Sequence, residues 1–230
     1  MRTAFLPLQL LFCLLFFSPP PALSAPSSQA KGNEHFGAAQ KRSLDLNERG
    51  AAAAQAGDLA QAESLFQEAL HSDKKNLSAA FNLASIYIQQ DKASQAVHLL
   101  ADYTKDYPKD AGLFSRLADA YFAEQKLVEA KENYEKAYGL DPELPKLPAK
   151  LANLYTIEQN FPKAIELYLQ AVEQDPKNGS YLANLSSLFL ANGDAQKAIS
   201  TAKRGLQVLP TSGLYVTLGS AYEQLKDYKN

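Results

Sequence analysis

Alanine recurs at Ala62, Ala96, Ala130, Ala164 and Ala198, each 34 residues after the last. Two further series keep the same step: Lys74, Pro108, Pro142, Pro176 and Pro210, and Leu83, Leu117, Leu151 and Leu185. A period of this length restricts the chain to a stack of similar units, none of which can bury its apolar face alone. Within one period the apolar residues fall at helical spacing in two stretches, as in Leu117, Ala118, Tyr121 and then Ala130, Tyr134, Ala137,. Each unit is therefore expected to be two antiparallel helices. Short polar segments such as Ala56, Gly57, Asp58 and Asn192, Gly193, Asp194 suit a tight turn between them,. The proline just past the second helix lacks an amide and biases the residue before it, so it ends the unit.

The recurring small residues have a packing role. Alanine at positions 96, 130 and 164 lets two helix axes approach to roughly 8–10 Å, while Tyr87, Tyr121 and Tyr155 fill the space beside the crossing,. Helices this short are marginal in water alone, so stacking must supply the stability. The units fall at 43–76, 77–110, 111–144, 145–178 and 179–211, and 212–230 reads as the first helix of a sixth, truncated unit or a capping helix. The first unit departs from the pattern with Arg49, Ala53 and Lys74, and the last slips by one residue, since Leu185 to Leu218 and Phe189 to Tyr222 are each 33 apart.

Leu117, Ala118, Tyr121, Ala130, Tyr134, Ala137, Pro142 and Leu151, Ala152, Tyr155, Ala164, Tyr168, Ala171, Pro176 resemble the signature of the tetratricopeptide repeat family. The resemblance runs from residue 43 to residue 230. It implies an all-α fold, an α-solenoid of antiparallel helix pairs wound into a right-handed superhelix, with the first helices lining a concave groove that holds a protein or peptide segment. Two polar ladders at the repeat period would face that groove. One is Asn82, Arg116, Lys150 and Asn184, and the other, three residues on, is Ser85, Asp119, Asn153 and Ser187, with Lys146 adding a positive charge,. Such groups can grip a main-chain amide or a carboxylate. The plainer alternative is a solvated face on which Arg116 simply pairs with Asp119. Some relatives clamp a C-terminal carboxylate. Lys146 and Lys150 match part of that set, but Phe81, Ser85 and Arg116 stand where its remaining residues belong, so that activity is not supported.

The rest of the chain narrows function by exclusion. With 23 basic and 25 acidic residues, the charge balance does not point to nucleic acid,. Cys13 is the only cysteine, which leaves no intramolecular disulfide and no thiolate metal cage,. His35, His71 and His98 have no second ligand at helical spacing, and there is no phosphate-binding loop or nucleophile elbow, so no cofactor, no metal and no enzymatic activity are expected,. Arg2, the apolar run from Ala4 to Phe17 and the small residues Ala22 and Ser24 read as a signal peptide over 1–24, followed by a flexible tether over 25–42,. The run is too short for a membrane span. The expected product is an exported scaffold, periplasmic or secreted, with a bacterial envelope favoured because the mature chain has no cysteine. A glycan-binding accessory of polysaccharide export and a homo-oligomer formed through the C-terminal helix, by way of Leu218, Tyr222 and Leu225, are the alternatives. Asn76, Asn178 and Asn184 begin Asn-x-Ser triplets, which matter only in a eukaryotic secretory pathway,.

Overall fold

The computed structural model describes residues 37–225. The segment read as a signal peptide, most of the tether with His35, and Tyr228 lie outside the described residues. Among the described residues there are eleven helices and no strand, the all-α repeat solenoid expected from the period. Helices α1 (Ala38–Gln55) and α2 (Leu59–Ser72) form the first pair, α3 (Leu77–Gln89) and α4 (Ala93–Asp106) the second, and α5 (Ala111–Ala123) and α6 (Leu127–Leu140) the third. Then come α7 (Leu147–Ile157) with α8 (Phe161–Gln174), α9 (Gly179–Ala191) with α10 (Ala195–Val208), and α11 (Ser212–Gln224). Helix α1 begins inside the stretch assigned to the tether. Residues 37–42 are all exposed, so no apolar periodicity announced the helix there.

The crossing alanines Ala62, Ala96, Ala130, Ala164 and Ala198 are all fully buried, as are Ala84, Ala118 and Ala152 on the first helices. At the equivalent site in α1 the residue is Gly50, where an added Cβ would stand 2.6 Å from the Phe66 ring. The first helix thus presents only small side chains where the second presses on it. The core is contiguous along the stack because α5 faces both ways. Leu113, Leu117 and Ala120 join the apolar residues of the earlier pairs, Phe114 and Ala118 join those of the later ones, and Tyr121 packs against both groups.

Each pair turns over by the same backbone device. Gly57, Asp91, Gln125, Gln159 and Gly193, again one period apart, all have positive φ, from 58° to 85°. A left-handed residue lets the amide that follows it, three positions past the helix, cap a carbonyl in its last turn,. Lys92 N–H reaches the Tyr87 carbonyl at 2.8 Å, Lys126 that of Tyr121 at 3.0 Å, Asn160 that of Tyr155 at 2.9 Å and Asp194 that of Phe189 at 2.8 Å. The helix starts are held by side-chain caps. Asp58, Asn76, Asp110, Asn160, Asn178, Asp194 and Thr211 each accept a backbone N–H of the helix they precede,.

The fourth pair departs from the period. Its entry spans residues 141–146 and carries Pro142 and Pro145, with Pro148 just inside α7, which therefore has 11 residues against 13 in α3, α5 and α9. Lys146 takes a left-handed conformation there, with φ 68° and no side-chain cap. The N-terminal pair is closed by a buried clasp. Ser43 Oγ donates to the Ala69 carbonyl at 2.7 Å, and Asn76 Nδ2 donates to the carbonyl and hydroxyl of Ser43 at 3.3 and 2.9 Å.

Two outcomes follow for thermal or denaturant unfolding. Ala130→Leu inserts methyl groups into a fully buried crossing and is expected to cost about 1–3 kcal/mol. Gln125→Gly releases a side chain held at positive φ and is expected to raise stability by about 0.5–1 kcal/mol, net of the entropy a glycine adds to the unfolded chain.

Candidate functional site

First helices of successive pairs touch one another at α1 with α3, α3 with α5, and α9 with α11, while α5, α7 and α9 approach less closely. Across those wider gaps, polar side chains make the connection. Lys150 of α7 donates to both carboxylate oxygens of Asp119 on α5, at 2.7 and 2.8 Å. Arg116, one turn back on α5, lies 3.4 Å from the same carboxylate, and the Tyr134 hydroxyl of α6 donates to it at 2.6 Å. One anion thus joins three helices. The Asp119 side chain is 17% exposed, so these partners replace most of its water.

The electrostatics of this node follow from its stoichiometry. Burial would push the Asp119 carboxyl up, but the charges of Lys150 and Arg116 and the hydrogen bonds from Lys150 and Tyr134 hold it below its ordinary value of 3.8,. Lys150 moves the other way from a usual ion-pair lysine. Burial and the repulsion of Arg116 and Lys146 outweigh the attraction of Asp119 and lower its pKa. Two cations share one carboxylate, and the first-helix face carries a surplus of positive charge. Burial and the neighbouring carboxylate push the Tyr134 hydroxyl well up, so it stays a donor.

A second network joins α7, α8 and α9. The Tyr168 hydroxyl donates to Asn153 Oδ1 on α7 and accepts from Asn184 Nδ2 on α9 at 2.7 Å. Nearer the N-terminus, Asn82 Nδ2 of α3 donates directly to Asn47 Oδ1 of α1 at 2.9 Å. Ser85 turns back to the Phe81 carbonyl at 2.8 Å, and Ser187 bonds the Ala183 carbonyl at 3.1 Å and lies 3.3 Å from Thr217 Oγ1 of α11. Lys146, read as an added charge on this face, stands just before α7. Its ammonium is exposed, with no hydrogen-bond partner among the described residues.

The structure therefore brings Arg116, Asp119 and Lys150 into one cluster and Asn153 with Asn184 into another, while Ser85 is turned away onto its own helix. Tyr134 and Tyr168, which entered the sequence pattern only as aromatic members of the repeat, are participants that the polar ladders did not include. Their slot runs Phe66, Leu100, Tyr134, Tyr168, Ala202 at the repeat period, and only the two tyrosines carry a hydroxyl. Fifteen residues before each stands a side chain able to accept it, Asp119 or Asn153, and this spacing was a legible signal.

Removing the anion tests the first cluster. Asp119→Asn leaves Lys150 and Arg116 facing each other and is expected to cost about 2–4 kcal/mol by denaturant unfolding at neutral pH. The folded carboxyl titrates below the unfolded one, so its contribution is complete at pH values well above 3.8 and drains as the pH falls through the folded value,. The gap in stability between wild type and Asp119→Asn is therefore expected to narrow in acid.

The tetratricopeptide repeat profile matches residues 53–120 and 121–189. No curated protein sequence matches. Among solved structures, TTC0263, a thermophilic repeat protein of Thermus thermophilus, is 20% identical with a TM-score of 0.60 over 79% of this chain and 99% of its own. A tetratricopeptide repeat protein of Parabacteroides merdae is 18% identical with a TM-score of 0.64, covering 81% of this chain and 75% of its own. YrrB, described as having an unusual peptide-binding site, is 14% identical with a TM-score of 0.59, covering 76% of this chain and 90% of its own. At these identities the likeness establishes the fold alone. The profile covers more than half of the sequence, so the chain belongs to the tetratricopeptide repeat family.

Proposed function

We propose that this protein is a non-catalytic adaptor that holds an extended polypeptide segment along its first-helix face. The observation that carries the reading is the cationic surplus around Asp119. Arg116 makes a single long contact, most of its N–H groups have no protein acceptor, and the exposed ammonium of Lys146 lies close enough to weigh on Lys150,. Unspent donors beside ordered amides suit a chain rich in carbonyls and acidic side chains better than they suit a small molecule. YrrB supports the reading as a family member for which a peptide-binding site is described. The apolar run from Ala4 to Phe17 and the small residues after it support export, and we place the adaptor in a bacterial envelope assembly,. No described helix is long and apolar enough to cross a membrane.

Selection of a random peptide library on the immobilised chain tests this reading. Enriched peptides are expected to shift backbone NMR signals of α3, α5, α7 and α9 and to leave the outer faces of α4, α6 and α8 unmoved. Arg116→Gln is expected to weaken the enriched peptides tenfold or more with little loss of stability, because Lys150 still neutralises Asp119. Peptide enrichment that maps to the second helices, or that Arg116→Gln leaves intact, would move the site elsewhere.

A second reading, self-association, is favoured by the apolar exposure of α11, where Tyr215 and Val216 are 60% and 68% exposed,. Leu218 and Tyr222 already pack on the core, so Val216→Asp with Leu225→Asp is the informative pair. Sedimentation is expected to show a concentration-dependent mass that the pair abolishes. A monomer at every concentration removes this reading.

A further inference from the structure

Tyr168 sits 2% exposed in the middle of α8, an aromatic position that a phenylalanine fills one hundred and two residues earlier at Phe66. Its hydroxyl is the only polar atom on the side chain, and burial pushes its pKa far up, so it remains protonated. A hydroxyl has one proton to give. Here it gives that proton to Asn153 Oδ1 and takes a hydrogen bond from Asn184 Nδ2. Because an amide has distinct donor and acceptor ends, a hydroxyl that donates to one amide and accepts from the other couples their orientations, so that one turns a donor outward and the other an acceptor,.

The consequence lies at the opposite ends of the two amides. Asn153 Nδ2 and Asn184 Oδ1 make no hydrogen bond within the described residues, yet neither is a fully buried atom lacking a hydrogen bond, as Gln90 Oε1 is. Both therefore keep some exposure to solvent, and both belong to first helices. The pair presents one donor from α7 and one acceptor from α9, held by a buried residue behind them. The same polarity recurs near the N-terminus. Asn82 Nδ2 bonds Asn47 Oδ1, which leaves a donor on Asn47 of α1 and an acceptor on Asn82 of α3. In both pairs the donor belongs to the earlier helix and the acceptor to the later one. The cationic node of Asp119, Arg116 and Lys150 lies between them in the stack.

We infer that Tyr168 is a positioning residue for ligand recognition, orienting Asn153 and Asn184 so that they grip the C=O and N–H of an extended peptide's main chain. Resting on the adaptor reading above, this assigns the ligand class at that end of the face: a backbone amide, recognised whatever side chains flank it. A donor and an acceptor set side by side match the alternating groups of an extended strand. Without the hydroxyl the two amides are free to rotate, and the bound state must order them at the cost of affinity.

The test uses the peptides enriched from the random library on the full chain. Tyr168→Phe deletes the hydroxyl and keeps the ring that the equivalent slot in the first pair already accommodates. It is expected to weaken those peptides at least tenfold, and in the free protein the side-chain amide NMR signals of Asn153 and Asn184 are expected to lose their dispersion. Asn153→Asp keeps an oxygen that accepts from Tyr168 and exchanges the outward N–H for a charged carboxylate oxygen, and it is expected to weaken binding with the Tyr168 contact intact. Methylation of the peptide's main-chain nitrogens is expected to weaken binding to wild type and to have little further effect on Tyr168→Phe. If wild type enriches no peptide, the adaptor reading fails and this inference with it. If wild type binds and Tyr168→Phe binds equally well, or the amide signals do not change, the positioning role alone is overturned and the adaptor reading stands.

Discussion

Everything in this structure depends on the close crossing of two helices inside each pair, where both helices present small buried residues, alanine on the second and alanine, glycine or serine on the first. Ala118 and Ala130 in the third pair and Ala152 and Ala164 in the fourth are fully buried. A larger residue at the crossing would separate the axes and expose the apolar stripe that each pair offers to the next. Since the contact recurs at one period, the orientation of every pair is set by the same few atoms. The tyrosines beside it then find partners in the neighbouring pair: the Tyr87 hydroxyl receives a bond from Gln67 at 3.0 Å, and the Tyr155 hydroxyl donates to Glu135 at 2.6 Å.

Much of this was legible because a repeat states its rule several times over. The helix pairs, the crossing alanines and the polar face of the first helices all followed from residues that recur in step. What was not legible lay where the period is broken or where two periods meet. The delayed entry of α7 comes from Pro145 and Pro148, which a fixed register passes over, and it leaves Lys146 just before the helix. The start of α1 at Ala38 was hidden by a first turn and a half with no buried residue. The turn residues Asp91, Gln125 and Gln159 give no sign by type that they hold a left-handed conformation. Only their alignment with Gly57 and Gly193 reveals it.

The first-helix face changes in meaning once its hydrogen bonds are traced. As a sequence pattern it is a row of polar residues, which a solvated surface explains equally well. In the structure those residues are sorted into a charged node and two amide pairs, each spanning successive first helices. Arg116 does pair with Asp119, but so does Lys150, and it is the second cation that leaves the site with charge to spare. Placing Tyr134 and Tyr168 behind the face puts its order under the control of the second helices. The scaffold and the surface it presents are therefore parts of one packing arrangement, and pre-organisation of this kind lowers the entropy that a bound chain must offset.

Polar side chains tie successive pairs together across the first-helix face, and the most direct measurement of that tie is a double-mutant cycle. Unfolding free energies of wild type, Asp119→Asn, Lys150→Met and the double variant give the coupling between two residues on different helix pairs. A favourable coupling of about 1–3 kcal/mol is the expected result. Additive effects of the two substitutions would mean that the contact is incidental to the stack, and would contradict a polar tie between the pairs.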